Sequence, residues 1–319
     1  MGRMLSVEEA MQPALDILWA GGLAAIPTET VYGLAADATN GAAVAKIYEA
    51  KGRPRFNPLI AHVGDFALAE QTVVFDPVSR GLAERFWPGP LTLVLPRAAD
   101  CEVHALASAG LETIAIRMPA GFGGDLARRF GKPIAAPSAN SSGKISATTA
   151  RHVARDLGDK VDLIIDGGAT PVGVESTIVK VEEGRLLLLR PGGIAVEDIE
   201  AAAGLSVGRP QAGKIEAPGM LLSHYAPNAR MRLNVEAVQA GEALLAFGPR
   251  RAFNAEAALA TSNLSPAGDL REAAANLFAA MQGLDASGAA TIAVEPIPSH
   301  GLGEAINDRL LRAAAERKT

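Results

Sequence analysis

The chain has 319 residues, 49% of them hydrophobic and 20% charged, which fits one large or two ordinary folded domains and not a disordered chain. One cysteine, Cys101, leaves no disulfide framework or multi-cysteine metal site, and the five histidines (His62, His104, His152, His224, His300) show no close ligand pairing. The net charge of −5 leaves no basic excess for wrapping a nucleic acid, and Gly, Pro or charge breaks every apolar run before the ~18 residues of a membrane span.

At the N-terminus, Met1-Gly2-Arg3-Met4-Leu5-Ser6 fits the short myristoylation pattern. Ser6-Val7-Glu8-Glu9 also reads as a capping box ahead of the amphipathic run Met11, Leu15, Leu18, Trp19, and a helix start is the reading taken. Glu8, Glu9 and Asp16 interrupt what a secretory signal would need. Residues 6 to about 205 then alternate short apolar runs with helical patterns. The spacing predicts strands at Leu23–Ile26, Pro58–Ala61, Leu91–Leu95, Ile114–Ile116, Ile134–Ala136, Leu163–Ile165, Ser176–Val179 and Leu186–Leu189, with helices over Ala42–Ala50 and Thr148–Leu157. The two strands flanking Glu182-Glu183-Gly184 are too close for a crossover helix and read as a hairpin, so the sheet is mixed. From Gly204 to Tyr225 the pattern lapses into Gly, Pro, Gln and Lys, as in a linker. Beyond it come strands at Ala243–Phe247 and Thr291–Val294 and helices over Asp269–Met281 and Glu304–Ala315, a second α/β domain of about ninety residues. There is no internal repeat.

Two nucleotide motifs fail on inspection. Gly208 to Lys214 has P-loop spacing, but Ile215 stands where a Ser or Thr should hold magnesium. Gly301-Leu302-Gly303-Glu304-Ala305-Ile306 lacks the third glycine of a dinucleotide fingerprint and reads as a helix entry. No GxSxG or HExxH is present.

The unusual segments all lie in the first two hundred residues. Pro27-Thr28-Glu29-Thr30-Val31-Tyr32-Gly33-Leu34 places two hydroxyls and a carboxylate after a strand, either as a ligand loop or as a capped helix start. Lys51-Gly52-Arg53-Pro54-Arg55-Phe56-Asn57-Pro58 is a stiffened loop with three cations and no acid from Lys51 through Val63, a candidate polyphosphate site, with His62 following on a strand. Phe86-Trp87-Pro88-Gly89-Pro90 reads as a rigid turn. Thr113, Ala115 and Arg117 share one strand face, and an Arg ending a buried strand needs an anion from the protein or a ligand. Ala136-Pro137-Ser138-Ala139-Asn140-Ser141-Ser142-Gly143 either holds a polar ligand or caps the helix near Thr148. Val174-Glu175-Ser176-Thr177 and Leu189-Arg190-Pro191-Gly192-Gly193 complete the set. Lys51, Arg53, Arg55, Arg117 and Arg190 supply charge and Thr30, Ser138, Asn140 and Ser176 supply hydrogen bonds, an inventory suited to positioning a phosphoryl group by electrostatics.

The ordered segments PTETVYGLAAD, KGRPRFNPLIAHV, FWPGPLTLVL, TIAIRMP, APSANSSG, GVESTIV and LLRPGGI resemble the YrdC-type threonylcarbamoyl-AMP synthase family over roughly residues 10 to 200. APGMLLSHYAP at 217–227 and the domain after it resemble the family's longer, two-domain form. The resemblance implies a twisted open mixed α/β sheet over residues 1–204, a linker and lid over 205–230 and a smaller Rossmann-like α/β domain over 231–319. It implies a nucleotidyltransferase that condenses L-threonine, bicarbonate or CO2 and ATP, with Mg2+, to threonylcarbamoyl-AMP and pyrophosphate, in the cytoplasm, and passes the product to a tRNA threonylcarbamoyl-transfer complex.

By motif, Lys51 and Arg53 would be catalytic and would bind ATP with Asn57, Thr113, Ser138, Asn140, Ser146, Thr148, Arg190, His224 and Tyr225. Thr30, Tyr32, His62, Arg117, Ser138 and Ser176 would surround threonine. Leu34-Ala35-Ala36 departs from the family's usual glycine after the leucine, narrowing the floor. Three competitors remain, of which a purely structural role leaves Lys51, Arg53, Arg117 and Arg190 unexplained. A carbamoyladenylate-forming hydrogenase maturation factor needs paired CxxC motifs that a chain with only Cys101 lacks. An RNA-binding module on a basic concave surface is opposed by the acidic total charge and only 4% aromatic residues for stacking.

Overall fold

The computed structural model describes residues 3–210, 217–218 and 224–315. In chain order these form β1 (Arg3–Ser6), α1 (Val7–Trp19), β2 (Ala24–Ile26), β3 (Gly33–Asp37), α2 (Gly41–Lys51), β4 (Ile60–His62), α3 (Phe66–Thr72), α4 (Pro77–Phe86), β5 (Leu91–Pro96), β6 (Thr113–Arg117), α5 (Phe122–Phe130), β7 (Ile134–Ala135), α6 (Ala150–Leu157), β8 (Leu163–Asp166), β9 (Thr177–Glu182), β10 (Arg185–Arg190), α7 (Val196–Ala203) and β11 (Val207–Gly208). Then follow β12 (Arg230–Arg232), β13 (Ala243–Ala246), β14 (Thr261–Asn263), α8 (Leu270–Asp285), β15 (Thr291–Val294) and α9 (Leu302–Ala314).

The first eleven strands make one sheet in the order β1-β8-β2-β3-β7-β4-β6-β5-β9-β10-β11, mixed as the hairpin requires. Glu182 pairs with Arg185 across a two-residue turn in which Glu183 and Gly184 both take positive φ, the type I′ geometry that matches strand twist. The strands use both faces by their period of two. Ala25, Ile164 and Ala135 pack under α2 and α6, while Ala24, Ile26, Leu163, Ile165 and Ile134 face α1 and α5. Over β4, β6, β5, β9 and β10 this second face is not covered by a helix. Ile60, Val94, Ala115, Ile178 and Leu189 form a small apolar floor there, with Ala217 laid on it.

The smaller sheet, β12-β15-β13-β14, is wholly parallel. Leu245, Ile292 and Val294 pack under α8 and α9, and Val31, Ile145 and Val174 of the large-sheet unit join the same cluster, so the two units share a core at their seam. Gly173 marks the tightest approach. It has φ +76, and a Cβ there would lie 2.3 Å from the carbonyl oxygen of Ala274 on α8.

Several expectations need correction. Ser6 is the N-cap of α1, but its hydroxyl meets the Glu9 carboxylate at 3.4 Å rather than a backbone amide, so the capping box does not close. The buried stripe of α1 is Ala10, Ala14 and Leu18, whereas Trp19 is 55% exposed and packs its ring, tilted, against Phe130. Residues 27–32 do not begin a helix. They link β2 to β3, a strand the apolar pattern did not separate from the loop before it. The predicted helix over Thr148–Leu157 starts at Ala150, capped by the Thr149 side chain. The large sheet continues to Gly208, past the expected boundary at 204. Of the expected linker and the P-loop-like stretch, residues 211–216 and 219–223 lie outside the described residues. Gly301 does enter a helix, α9.

Candidate functional site

Strand direction reverses between β6 and β5 and again between β9 and β10 around the uncovered face, so its rim collects opposite ends of neighbouring strands. His62 and Arg117 are paired in register at the ends of the parallel strands β4 and β6. Leu91 and Thr177 pair where β5 and β9 begin, and Arg190 ends the antiparallel β10. This brings the loops at 27–32, 86–90, 136–143, 174–176 and 190–193 to one edge. Gly192 permits the last contact: a Cβ there would lie 2.3 Å from Glu175 O and 2.4 Å from Thr177 N.

The resulting cavity measures about 40 Å³ and is lined by Thr30, Arg53, His62, Arg117, Ser138 and Ser176, with Glu175, Arg190, Pro218, His224 and Tyr225 closing it. The chain has roomier clefts, of about 290 and 580 Å³, but neither collects buried cations.

Lys51, the last residue of α2, is 3% exposed, and its ammonium donates to the carbonyl oxygens of Ser138 and Asn140. Gly52 in the left-handed C-cap turns the chain so that Arg53 also points inward. Arg53 donates to Asn57 O at 3.1 Å and Pro58 O at 2.8 Å. Arg117 donates to Gly89 O at 3.1 Å and to the Thr30 hydroxyl at 3.0 Å, and pairs with Glu29 at 2.6 Å. The turn at 86–90 therefore does more than reverse the chain, since its Gly89 carbonyl aims Arg117. Arg190 donates to the Ser176 carbonyl at 2.9 Å and hydroxyl at 3.1 Å, and that hydroxyl meets Thr92 at 2.7 Å.

Carbonyl dipoles, more than carboxylates, hold these cations. Burial, with Arg53 beside it, pushes the Lys51 ammonium well below the usual lysine value, and burial lowers Arg53 to about 10. Burial, then Arg117, keeps His62 neutral at pH 7, and burial brings His224 down to about 3. Several polar atoms here are buried without a partner: both side-chain ends of Asn57, Asn140 Oδ1, and Nδ1 of His62 and His224. Native interiors rarely tolerate such a cluster unless something else is bound there.

The expected residues divide into three groups. Thr30, Arg53, His62, Arg117, Ser138, Ser176, Arg190, His224 and Tyr225 meet at the cavity. Lys51, Asn57, Asn140 and Ser146 form the layer behind it, Ser146 through a 2.5 Å hydrogen bond to Glu175. Tyr32, Thr113 and Thr148 stand apart. The Tyr32 hydroxyl is bonded to Gly167 N and Gly168 O with the ring in the core, Thr113 begins β6 four residues and ~13 Å from Arg117, and Thr148 contacts His152. Asn140 uses its amide to close its own turn at Ser141 and Lys144, which settles against a helix cap. Sequence reasoning did not single out Glu29, Glu175 or Arg309. The first two stood within quoted motifs, where neutrality with Arg117 was the available signal. Arg309 belongs to an ordinary amphipathic helix and gave none.

No cluster of three or more His, Cys, Asp or Glu occurs among the described residues; Glu175 is hydrogen-bonded to Ser146 and Arg309, and Glu29 has its ion pair with Arg117 but no hydrogen bond.

The domain profile described as "Telomere recombination" matches residues 16–192, and that described as "Threonylcarbamoyl-AMP synthase, C-terminal domain" matches 194–315. The chain is 41% identical to the threonylcarbamoyl-AMP synthase of Pyrococcus abyssi, over 93% of this chain and 92% of that protein. It is also 41% identical to the Bacillus subtilis threonylcarbamoyl-AMP synthase, over 95% and 92%. The crystal structure of P. abyssi Sua5 complexed with L-threonine is similar in fold, with a TM-score of 0.86 at 38% identity, covering 98% of this chain and 97% of that one.

Proposed function

The chain belongs to the threonylcarbamoyl-AMP synthase family in its two-domain form, and from that premise we propose how its cavity runs the reaction. The activity is that of a nucleotidyltransferase-type enzyme making threonylcarbamoyl-AMP, a step toward N6-threonylcarbamoyladenosine in tRNA. The substrates are ATP, L-threonine and bicarbonate. The threonine amine captures CO2 as a carbamate, a carbamate oxygen attacks the α-phosphorus, and pyrophosphate leaves.

One observation carries the reading: among the described residues Arg53, Arg117 and Arg190 are buried round one cavity with Lys51 buried just behind it, and the carboxylates set against these four cations are Glu29, Glu175 and, towards Lys51, Asp156. Such a site is built to receive anions. Lys51, Arg53 and Arg190 face the phosphates, with Asn57 and Ser138 supplying neutral donors, while Asn140 holds its turn and leaves Oδ1 as an acceptor. Arg117 meets the threonine carboxylate beside Thr30, His62 and Ser176, while Glu29 is placed to meet the ammonium before it loses its proton. The protein contributes proximity and charge neutralisation of the leaving pyrophosphate, with no nucleophile of its own. Mg2+ would arrive on the nucleotide's phosphates, and no step here depends on a protein-held metal. No substrate contact is assigned to Tyr32, Thr113 or Thr148.

A cavity of about 40 Å³ holds little more than one water at ~30 Å³ each. Substrates therefore enter only when a wall moves, and Pro218, His224 and Tyr225, the described residues of the 205–230 stretch that line the cavity, are the wall we assign as lid. The cavity cations are buried rather than displayed on an open concave surface, which favours a small-molecule site over an RNA-binding one, with the product passed to the tRNA-modifying complex. That handover belongs in the cytoplasm. No helix among the described residues is long and apolar enough to cross a membrane.

The test is pyrophosphate release from ATP with each of the twenty amino acids, with and without bicarbonate. Release should require threonine and bicarbonate together. Release no greater than the blank with that pair would overturn the assignment.

A further inference from the structure

Helix α9 of the smaller unit brings a charge into the large unit's cavity wall. Arg309 has no solvent exposure and is the largest fully buried side chain. Its Nε donates to Glu175 at 2.8 Å, one terminal nitrogen donates to Pro191 O at 3.0 Å, and the other pairs with its neighbour Asp308 at 2.6 Å. The guanidinium also lies 5.1 Å from the centroid of the Tyr225 ring, which stacks on Phe278 of α8. Glu175, Pro191 and Tyr225 sit on three different segments of the site: the turn before β9, the turn after β10, and the wall that closes the cavity. Arg309 touches all three. Near the end of the same helix, Arg312 O accepts the His224 N–H at 3.2 Å, using a carbonyl that the last helical turn leaves free.

These contacts reach the substrate-facing groups in one step. Glu175 accepts the Ser146 hydroxyl and precedes Ser176, whose carbonyl and hydroxyl hold Arg190. Burial would raise the Glu175 carboxyl, but Arg309 and then Arg190 hold it at about 2. A buried pair of this kind adds little stability over apolar packing of the same volume. Its use here is geometric, because separate donors of one planar guanidinium fix two loops against one helix.

We propose that Arg309 is a positioning residue for the synthase reaction, through which the smaller domain sets the geometry of Glu175, Arg190 and Tyr225 and so completes the substrate cavity. The proposal rests on the functional reading above. Its experiment uses the full chain as wild type, Arg309→Met, Arg309→Lys and Arg309→Met with Glu175→Gln, each checked for fold by circular dichroism and gel filtration. Two readouts are taken: threonine- and bicarbonate-dependent pyrophosphate release, and ATP affinity by calorimetry.

Arg309→Met should lower kcat by about 10- to 100-fold, as expected of a small misplacement of reacting groups. Its pH profile should gain an acidic limb absent from wild type as Glu175, freed of its partner, takes up a proton. The other groups facing Glu175 are Arg190 on β10, Lys51 on α2, Ser146, His224 and Tyr225, with Asp308 beside Arg309. His224, neutral down to about 3, does not produce that limb. Arg309→Lys should fall between wild type and Arg309→Met, and the double variant should be no worse than the single one and lose the new limb. A folded Arg309→Met with wild-type kcat, KM and pH profile would overturn the proposal, as would losses that simply multiply in the double variant. Should Arg309→Met not fold, wild-type kinetics in Arg309→Lys have the same force. Wild type that binds ATP without threonine-dependent release overturns the functional reading alone. In that case Arg309 is judged by ATP affinity, which should weaken about tenfold in Arg309→Met and which, if unchanged, overturns the proposal as well.

Discussion

The two units treat buried charge in opposite ways. In the smaller one each buried carboxylate has a partly exposed arginine of its own: Glu242 pairs with Arg232 at 2.5 Å and Glu295 with Arg251 at 2.5 Å. Glu295 also accepts the amides of Phe247 and Ala252, so the charge is spent on holding loops. In the large unit Lys51, Arg53 and Arg190 are held by carbonyl oxygens, and Arg117 by a carbonyl and a hydroxyl besides its carboxylate. Balanced charge marks structure, whereas positive charge kept in excess at the cost of desolvation marks a place for an anion.

The strongest way to break that contrast is to remove an unbalanced cation. Lys51→Ala or Arg53→Ala should reduce turnover by about 10²- to 10³-fold per group lost, while thermal melts show little destabilisation, because removing one of several like charges relieves repulsion. Wild-type turnover in either variant would show that the excess charge has no catalytic use.

Acidification tests the neutral histidines that share the cavity with the cations. Between pH 6.5 and about 3 the unfolded chain binds a proton at His224 that the folded chain refuses, so stability falls as pH falls, by up to ~1.4 kcal/mol per pH unit. His62, lowered in the same direction, steepens the slope. Glu175, ionised down to about 2, adds a further loss below the ordinary glutamate value. Urea titrations at pH 7, 6, 5 and 4 measure this, and His224→Asn should flatten the upper part of the slope. A flat curve for wild type would mean that these imidazoles are not buried neutral.

On the balanced side, Glu295→Gln should cost about 1–3 kcal/mol of stability and leave kcat/KM of the folded protein unchanged. An activity loss without a stability loss would make the smaller unit's ion pairs functional and blur the distinction. The smallest effect is a proton count. A polyphosphate beside Lys51 opposes the burial and the neighbouring Arg53 that lower its ammonium, so ATP binding should take up protons. Calorimetry in buffers of different ionisation enthalpy reads that uptake, and identical enthalpies in all buffers would argue against it.

Much of this was legible before any coordinates. The hairpin at 182–185, the mixed sheet, the change of texture after Gly204 and the helix entry at Gly301 followed from local pattern, which depends on residues a few positions apart. The cavity residues could be gathered because motifs cluster at strand ends. Tyr32, Thr113 and Thr148 were gathered with them by position in a motif, yet being in a motif does not decide which way a side chain points. The residues that escaped notice are those whose partners are far along the chain, above all Glu175 and Arg309, 134 positions apart.

The amino-acid sequence by itself therefore determined an acidic, cysteine-poor α/β chain with a local store of cations and small hydroxyls, because composition and period are properties of neighbours. Only the tertiary structure decided which of those cations are buried, that carbonyls rather than carboxylates hold most of them, and that the last helix reaches into the cavity wall. Burial and pairing depend on which strand ends the sheet brings together. That is settled by a packing of distant segments that no local stretch of sequence records.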